Sequence, residues 1–247
     1  MAALPTPTFV YLYNDLPYVA PPNAGGARWQ ALIAELLALL RAQPQVRFLE
    51  VAPLVDALAQ QRTRGPYERS LAIGAAGRRV AELLHGRTGW FPAIMELPLT
   101  RIEAAGGGYQ VVARGAIAVT PPTDDTRPLA IVDDTIYAGQ TLGWVLDRLP
   151  PAAEVDVFCL QGVAETLSAL RTRCRVFAGI ELAGERERDL TVIKASHLFE
   201  PGAIHAEQAE LAFYERRAWM DAWFPGAADQ IVSVCARLRA LTPISRR

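Results

Sequence analysis

Apolar positions along the chain switch repeatedly between strand-like runs and helical spacing. Phe9–Tyr13 is β-branched and aromatic, which predicts a short strand, and Pro21-Pro22-Asn23-Ala24-Gly25-Gly26 predicts a loop. Trp29, Ile33, Leu36, Leu37 and Leu40 then recur on one face of an amphipathic helix. Val46–Val51 predicts a strand, Leu54–Gln61 a helix, and the polar stretch Gln60–Pro66 a connector. From Ser70 the alternation is regular. Ser70–Gly74 predicts a strand, Arg78–His85 a helix and Ala93–Arg101 a long strand, while Gly106-Gly107-Gly108 interrupts a hairpin with Tyr109–Ala113. Leu129-Ala130-Ile131-Val132 is a continuous apolar run, the pattern of a strand buried on both faces. Thr141–Leu149 predicts a helix stopped by Pro150-Pro151; Val155–Leu160, Ala164–Leu170 and Val176–Ile180 continue as strand, helix and strand. Strands alternating with helices in this way indicate an α/β fold with a mainly parallel sheet.

The two ends read differently. Leu190–Lys194 predicts a last strand, His197–His205 a loop, and two helices follow, split at Pro225-Gly226. The second carries Ile231, Val234, Cys235 and Leu238 on one face. No flexible linker interrupts the chain. The expectation is therefore a single domain over 1–247, with a core at about 69–180 and additions at 1–68 and 181–247 forming a small cap.

Composition narrows the classes. Hydrophobic residues make up 51% of 247 and the formal net charge is −1, which excludes a disordered chain and offers nucleic acid or an anionic membrane no global attraction. No apolar run has the length of a membrane span, and the N-terminal residues lack the pattern of a secretory signal. Cys159, Cys174 and Cys235 are widely spaced and odd in number, as expected of reduced core thiols in a cytoplasmic protein. Lys194 is the only lysine.

Candidate chemistry concentrates in LAIVDDTIYAGQTL, Leu129–Leu142. A buried strand leads to two adjacent acids, Asp133 and Asp134, then to a loop containing Gly139 and to a helix opened by Thr141. Ligands of parallel sheets sit outside the carboxyl ends of the strands, so the acids are expected in a cleft. Successive residues of an extended chain point opposite ways, so both acids face a ligand only where the strand ends and turns. Loop N–H groups and the helix start suit phosphate, and Gly139 permits close backbone approach. Carboxylates accept from hydroxyls and repel phosphate, so the pattern suits a ligand with phosphate at one end and ribose hydroxyls at the other.

LAIVDDTIYAGQT resembles the phosphoribosyl-pyrophosphate (PRPP) motif of the type I phosphoribosyltransferases: four apolar residues, two acids, and a short loop ending in Gly-x-Thr/Ser. Ala138 stands where threonine is commoner in that family. The resemblance implies a type I phosphoribosyltransferase-like fold, with a mainly parallel sheet flanked by helices. It implies that Asp133 and Asp134 hold the ribose 2′- and 3′-hydroxyls. Thr135, Ile136, Tyr137, Ala138, Gly139, Gln140 and Thr141 would wrap the 5′-phosphate. Upstream, Gly74-Ala75-Ala76-Gly77-Arg78-Arg79 resembles the family's pyrophosphate loop, which assigns diphosphate contacts to Ala75, Ala76, Gly77 and Arg78. Thr100-Arg101 leads into a glycine-rich hairpin, Ile102–Val112, that resembles the loop closing over the active site and makes Arg101 a catalytic candidate. The likeness spans about Arg69–Ile180.

The implied activity is Mg²⁺-dependent transfer of the 5-phosphoribosyl group from PRPP to a nitrogenous base or related heterocycle, releasing pyrophosphate, by a homodimer. One departure separates this chain from several members. It has no lysine in the pyrophosphate or mobile loop, leaving Arg78, Arg79 and Arg101 to meet the diphosphate. The alternative is a PRPP- or nucleotide-sensing regulator that retains the cradle without transferase activity.

Other features read as structure. Asp124-Asp125 lies in a polar stretch with no strand before it, and His197, Glu200 and His205 match no common zinc spacing. Phe213-Tyr214 and Trp219–Phe224 read as core or dimer contact, with a base pocket as the other possibility, and Trp90-Phe91-Pro92 reads likewise.

Overall fold

The computed structural model describes residues 6–19, 26–103, 109–113, 127–150, 153–186, 188–201, 204–206 and 209–241. In chain order they form β1 (Phe9–Asn14), α1 (Leu16–Val19), α2 (Ala27–Arg41), β2 (Val46–Glu50), α3 (Val51–Ala59) and β3 (Arg69–Ile73). Next come α4 (Gly74–Thr88), β4 (Ile94–Leu97), β5 (Leu99–Glu103), β6 (Tyr109–Ala113), β7 (Leu129–Ile136) and α5 (Gln140–Leu146). They continue as β8 (Val155–Val163), α6 (Ala164–Leu170), β9 (Arg175–Leu182) and β10 (Leu190–Lys194). The short strands β11 (Ile204–Ala206) and β12 (Ala209–Leu211) precede α7 (Arg217–Trp223) and α8 (Ala228–Leu241). Two compact units result, one of Val51–Gly184 and one of Met1–Glu50 together with Glu185–Arg247.

The Val51–Gly184 unit is built on a five-stranded parallel sheet in the order β4-β3-β7-β8-β9, flanked by helices. Every residue of β8 is buried, as its apolar run requires of a strand covered on both faces. Ile131, Val157 and Cys159 pack with Leu142 and Val145 of α5 and Leu167 and Leu170 of α6. Aromatic residues pack together elsewhere in the unit: Phe158 stacks on Phe177 at 5.0 Å and meets Tyr67 and Phe91 edge-on at 5.5 and 5.4 Å. Phe91 is thus core. Buried Asp156 accepts a 2.5 Å hydrogen bond from the Tyr67 hydroxyl, with Arg175 at 3.6 Å and Arg64 at 3.9 Å. Paired in this way, a buried carboxylate is tolerated.

Three local expectations change. Ala93–Arg101 is two strands split at Pro98, because β4 joins the parallel sheet whereas β5 pairs antiparallel with β6. Proline cannot donate to a ladder, which makes it a natural break between the two partnerships. The strand at Val46 ends at Glu50, and α3 starts at Val51 with Pro53 in the first turn, where a missing N–H costs no helical bond. The helix after Gly139 is shorter than Thr141–Leu149, running from Gln140 to Leu146.

The second unit has its own parallel sheet, β10-β1-β2. Trp29, Leu32, Leu36 and Leu40 of α2 are buried, with Ile33 and Leu37 half-buried beside them, and α8 buries Ile231, Val234, Cys235 and Leu238. Phe199 meets Trp29 edge-on at 5.6 Å. Phe213, Trp219 and Trp223 cluster with centroids 5.1–5.5 Å apart beside buried Met220 and Phe224, and His197 lies 5.9 Å from Phe213. Buried Asp15 accepts hydrogen bonds from Ser196, at 3.0 Å from the amide and 2.6 Å from the hydroxyl. Among the described residues, no helix is long and apolar enough to cross a membrane.

Candidate functional site

Sheet order places the acids at a special point. After β3 the chain crosses through α4 to β4 on one side, and after β7 it crosses through α5 to β8 on the other. The β3/β7 junction is therefore where the direction of winding reverses, and the crevice beyond such carboxyl ends is where open α/β sheets bind ligands. The β3–β7 ladder ends at Val132, since β3 stops at Ile73 and Gly74 begins α4. Asp133 and Asp134 are the next two residues, past the last pairing with β3.

The strand does not end with the acids. β7 continues through Thr135 and Ile136, paired only with β8, in which Asp133 lies opposite Cys159 and Thr135 opposite Gln161. Asp133 is half-buried and Asp134 is 5% exposed. Their carboxylates are held locally. Asp133 Oδ1 accepts from the Asp134 amide at 2.8 Å, and Asp134 Oδ2 accepts from the Thr135 hydroxyl at 3.3 Å. Gln161, fully buried on β8, donates to Thr135 Oγ1 at 3.0 Å. Thr135 is thus a strand residue bonded to Asp134, Ile136 is a strand residue buried in the core, and the loop proper is Tyr137–Gly139.

That loop is fixed from α6. Gly139 has φ 71°, and a Cβ there would come within 2.9 Å of Thr166 Cγ2. The Thr166 hydroxyl donates to the Tyr137 carbonyl at 2.8 Å. Ala138 and Thr141 are half-buried and Gln140 is exposed. Neither Gln161 nor Thr166 is singled out by motif; for Gln161 the available signal is a polar side chain within a buried strand, where, as for Asp156, it demands a partner.

Gly74–Arg79 is helix rather than loop. Gly74 alone, at φ 59°, makes the turn from β3, and Ala75, Ala76, Gly77 and Arg78 form the first turns of α4. Gly77 lies against β7: a Cβ on it would meet the Val132 carbonyl oxygen at 2.4 Å and Asp133 Cα at 3.3 Å. Only glycine lets α4 approach the strand this closely, which brings the start of α4 beside the acids. Arg78 is exposed and engaged with Glu82 at 2.9 Å and Glu96 at 3.8 Å; the hydrogen bond to Glu82 pushes its pKa up. Arg101 is exposed on β5, opposite Val111 of β6. Gly106–Gly108 and Asp124-Asp125 lie outside the described residues.

Cys159 is no nucleophile. Burial raises its thiol pKa well above the usual range, and the charges of Asp133 and Asp134 add to the effect, so the neutral form persists. Among the described residues, no group of three or more His, Cys, Asp or Glu side chains could hold a metal ion.

No family model matches the chain, and no curated protein matches it. Among solved structures it is similar to a hypothetical protein from Neisseria gonorrhoeae with bound ppGpp, at 16% identity and a TM-score of 0.41 over 56% of this chain and 81% of that one. It is also similar to an adenine phosphoribosyltransferase from Rhodothermus marinus, at 14% identity and a TM-score of 0.38 over 61% of this chain and 99% of that one. A purine phosphoribosyltransferase from Pyrococcus horikoshii gives 14% identity and a TM-score of 0.36 over 56% and 85% of the two chains.

Proposed function

We propose that this protein binds PRPP with Mg²⁺ and transfers its phosphoribosyl group to a nitrogenous base, releasing pyrophosphate. The observation that carries this reading is the position of Asp133-Asp134, immediately beyond the last β3 pairing at the β3/β7 reversal, followed by the glycine loop Tyr137–Gly139. In this reading half-buried Asp133 accepts a hydrogen bond from one ribose hydroxyl; because β7 continues past the acids, Asp134, 5% exposed on the opposite face of the strand, has to turn its carboxylate out to accept from the other. The loop holds the 5′-phosphate, with the Thr141 hydroxyl as a further donor, and the diphosphate lies toward Ala75–Arg78 at the start of α4. The C1–oxygen bond of the ribose breaks, pyrophosphate leaves with the electron pair, and the base nitrogen bonds to C1 and gives up its proton to water. Positive charge develops on the ribose ring, and the carboxylates stabilise it by fixed opposite charge. Mg²⁺ supplies charge neutralisation of the diphosphate when bound. This ion keeps most of its ligands from substrate and water.

A second reading retains binding and drops transfer. It is favoured by Arg78, whose guanidinium is engaged with Glu82 and Glu96, and by the absence of lysine from this part of the chain. Such a protein would sense PRPP or a nucleotide.

Calorimetric titration with Mg²⁺ and PRPP, on wild type and Asp133→Asn/Asp134→Asn, tests the cradle. Binding is expected for wild type and its loss for the double variant, by at least about a hundredfold if two hydrogen bonds to charged groups are lost. No binding by folded wild type overturns both readings. Pyrophosphate release in the presence of bases then separates enzyme from sensor.

A further inference from the structure

The Tyr137–Gly139 loop is held by a side chain from another element, and the way it is held orients one particular N–H. Thr166 sits in α6, is 9% exposed, and donates its hydroxyl to the Tyr137 carbonyl at 2.8 Å. Its methyl group occupies the space that a Cβ on Gly139 would need, 2.9 Å away. One residue thus holds the first peptide of the loop by a hydrogen bond and seats the last residue by contact.

The consequence follows from peptide geometry. The Tyr137–Ala138 bond is trans, the one cis bond among the described residues being Gly65–Pro66. In a planar trans peptide the carbonyl and the following N–H point in opposite directions. With the Tyr137 oxygen turned to Thr166, the Ala138 N–H must point away from α6. Rotating this peptide plane by half a turn would exchange the two, presenting a carbonyl oxygen where the N–H had been. A phosphate is attracted by the first arrangement and repelled by the second. Such rotation turns ψ of Tyr137 and φ of Ala138 together without moving the flanking chain, and the hydrogen bond from Thr166 is what the observed arrangement gains over the flipped one.

We propose that Thr166 is a positioning residue that locks the Tyr137–Ala138 peptide so that the Ala138 N–H is aimed at the ligand's phosphate. This rests on the reading that the loop holds the 5′-phosphate. It assigns to α6 a role in phosphate selectivity that the loop sequence does not contain.

The test uses the full chain and two probes, ribose 5-phosphate and Mg²⁺ with PRPP, titrated calorimetrically into wild type, Thr166→Val and Thr166→Ser. Valine keeps the methyl contact and removes the hydroxyl, whereas serine keeps the hydroxyl. Thr166→Val is expected to weaken both probes by about tenfold or more, the effect of one misdirected hydrogen bond to a charged group, and Thr166→Ser to stay within about threefold of wild type. In ¹⁵N spectra the Ala138 amide should move downfield when ribose 5-phosphate is added to wild type and Thr166→Ser, and not with Thr166→Val. A merely structural role would lower the melting temperature without abolishing that amide response. If Thr166→Val does not fold, Thr166→Ala and Thr166→Ser decide the matter, the first expected to be weak and the second wild-type-like. Wild-type binding undiminished in Thr166→Val, or equal weakening in Thr166→Ser and Thr166→Ala, overturns the positioning role alone. If folded wild type binds neither probe, the phosphate reading falls and the positioning role falls with it.

Discussion

Gly139 has to be glycine for two separable reasons. Its φ of 71° lies where side chains are strained, and a Cβ would press on Thr166 Cγ2 at 2.9 Å. The first reason is local to the backbone, while the second depends on the neighbour and can be relieved. Gly139→Ala is therefore expected to destabilise the protein by about 1–3 kcal/mol, the usual cost of such a backbone conformation. Adding Thr166→Ser, which removes the methyl, should recover part of that loss. Urea unfolding of the three variants would measure it; equal stability of Gly139→Ala and wild type would show that the loop relaxes into another conformation. Asp133 and Asp134 were legible at this same scale, because two adjacent acids after four buried apolar residues have no packing role to explain them. Gln161 and Thr166 were not, since what matters about them is their partners, Thr135 and Tyr137, which are 26 and 29 residues away in sequence.

At the scale of elements, periodicity predicted the strands and helices of the core, and its failures have physical causes. Ala93–Arg101 reads as one strand because its apolar content is continuous; only the pairing of β4 with β3 and of β5 with β6 divides it at Pro98. Gly74–Arg79 reads as a loop by its resemblance to the pyrophosphate loop, although helical spacing is already expected from Arg78. Yet Gly77 is there for close approach to Val132, and a single left-handed residue, Gly74, suffices for the turn. Composition cannot distinguish a glycine needed for its backbone angles from one needed for its missing side chain. Pairing also sets a testable pH response where α6 ends. Arg171 is bonded to Glu181 of β9, and that hydrogen bond lowers the Glu181 pKa below its ordinary 4.5. A carboxyl depressed in the folded state stabilises the fold above the ordinary value, and the contribution disappears as pH falls through the lowered one. Both side chains are about 40% exposed, so solvent screening keeps the effect small. Arg171→Gln should cost about 0.2–1 kcal/mol at pH 7. The gap between the two unfolding curves should close on acidification below pH 4.5; a gap unchanged at low pH would assign the loss to packing of the arginine stem instead.

For the whole molecule, the informative fact is that the two ends of the chain build one unit and the middle builds the other. The sequence, read linearly, offers a core with two additions; nothing in it says that β1 and β10 are neighbours, because pairing such as Phe9 with Leu190 leaves no local trace. The candidate site draws on β3, α4, β5, β7, α5, β8 and α6, all of them within Val51–Gly184. The packed cluster Leu71, Ile131, Leu142, Val157, Leu167 and Val176 likewise lies wholly within Val51–Gly184. This segment exceeds the roughly 70–80 residues below which a single core rarely suffices. Residues 51–184, expressed without the rest, are therefore expected to fold and to bind ribose 5-phosphate within about threefold of the full chain, since every residue proposed to touch the phosphate is present. Dispersed amide resonances with unchanged affinity would place phosphate recognition in this unit and leave the other to a different task. A folded segment that had lost affinity would mean that the terminal unit contributes to the site, and a segment that did not fold would mean that the larger sheet depends on it for stability.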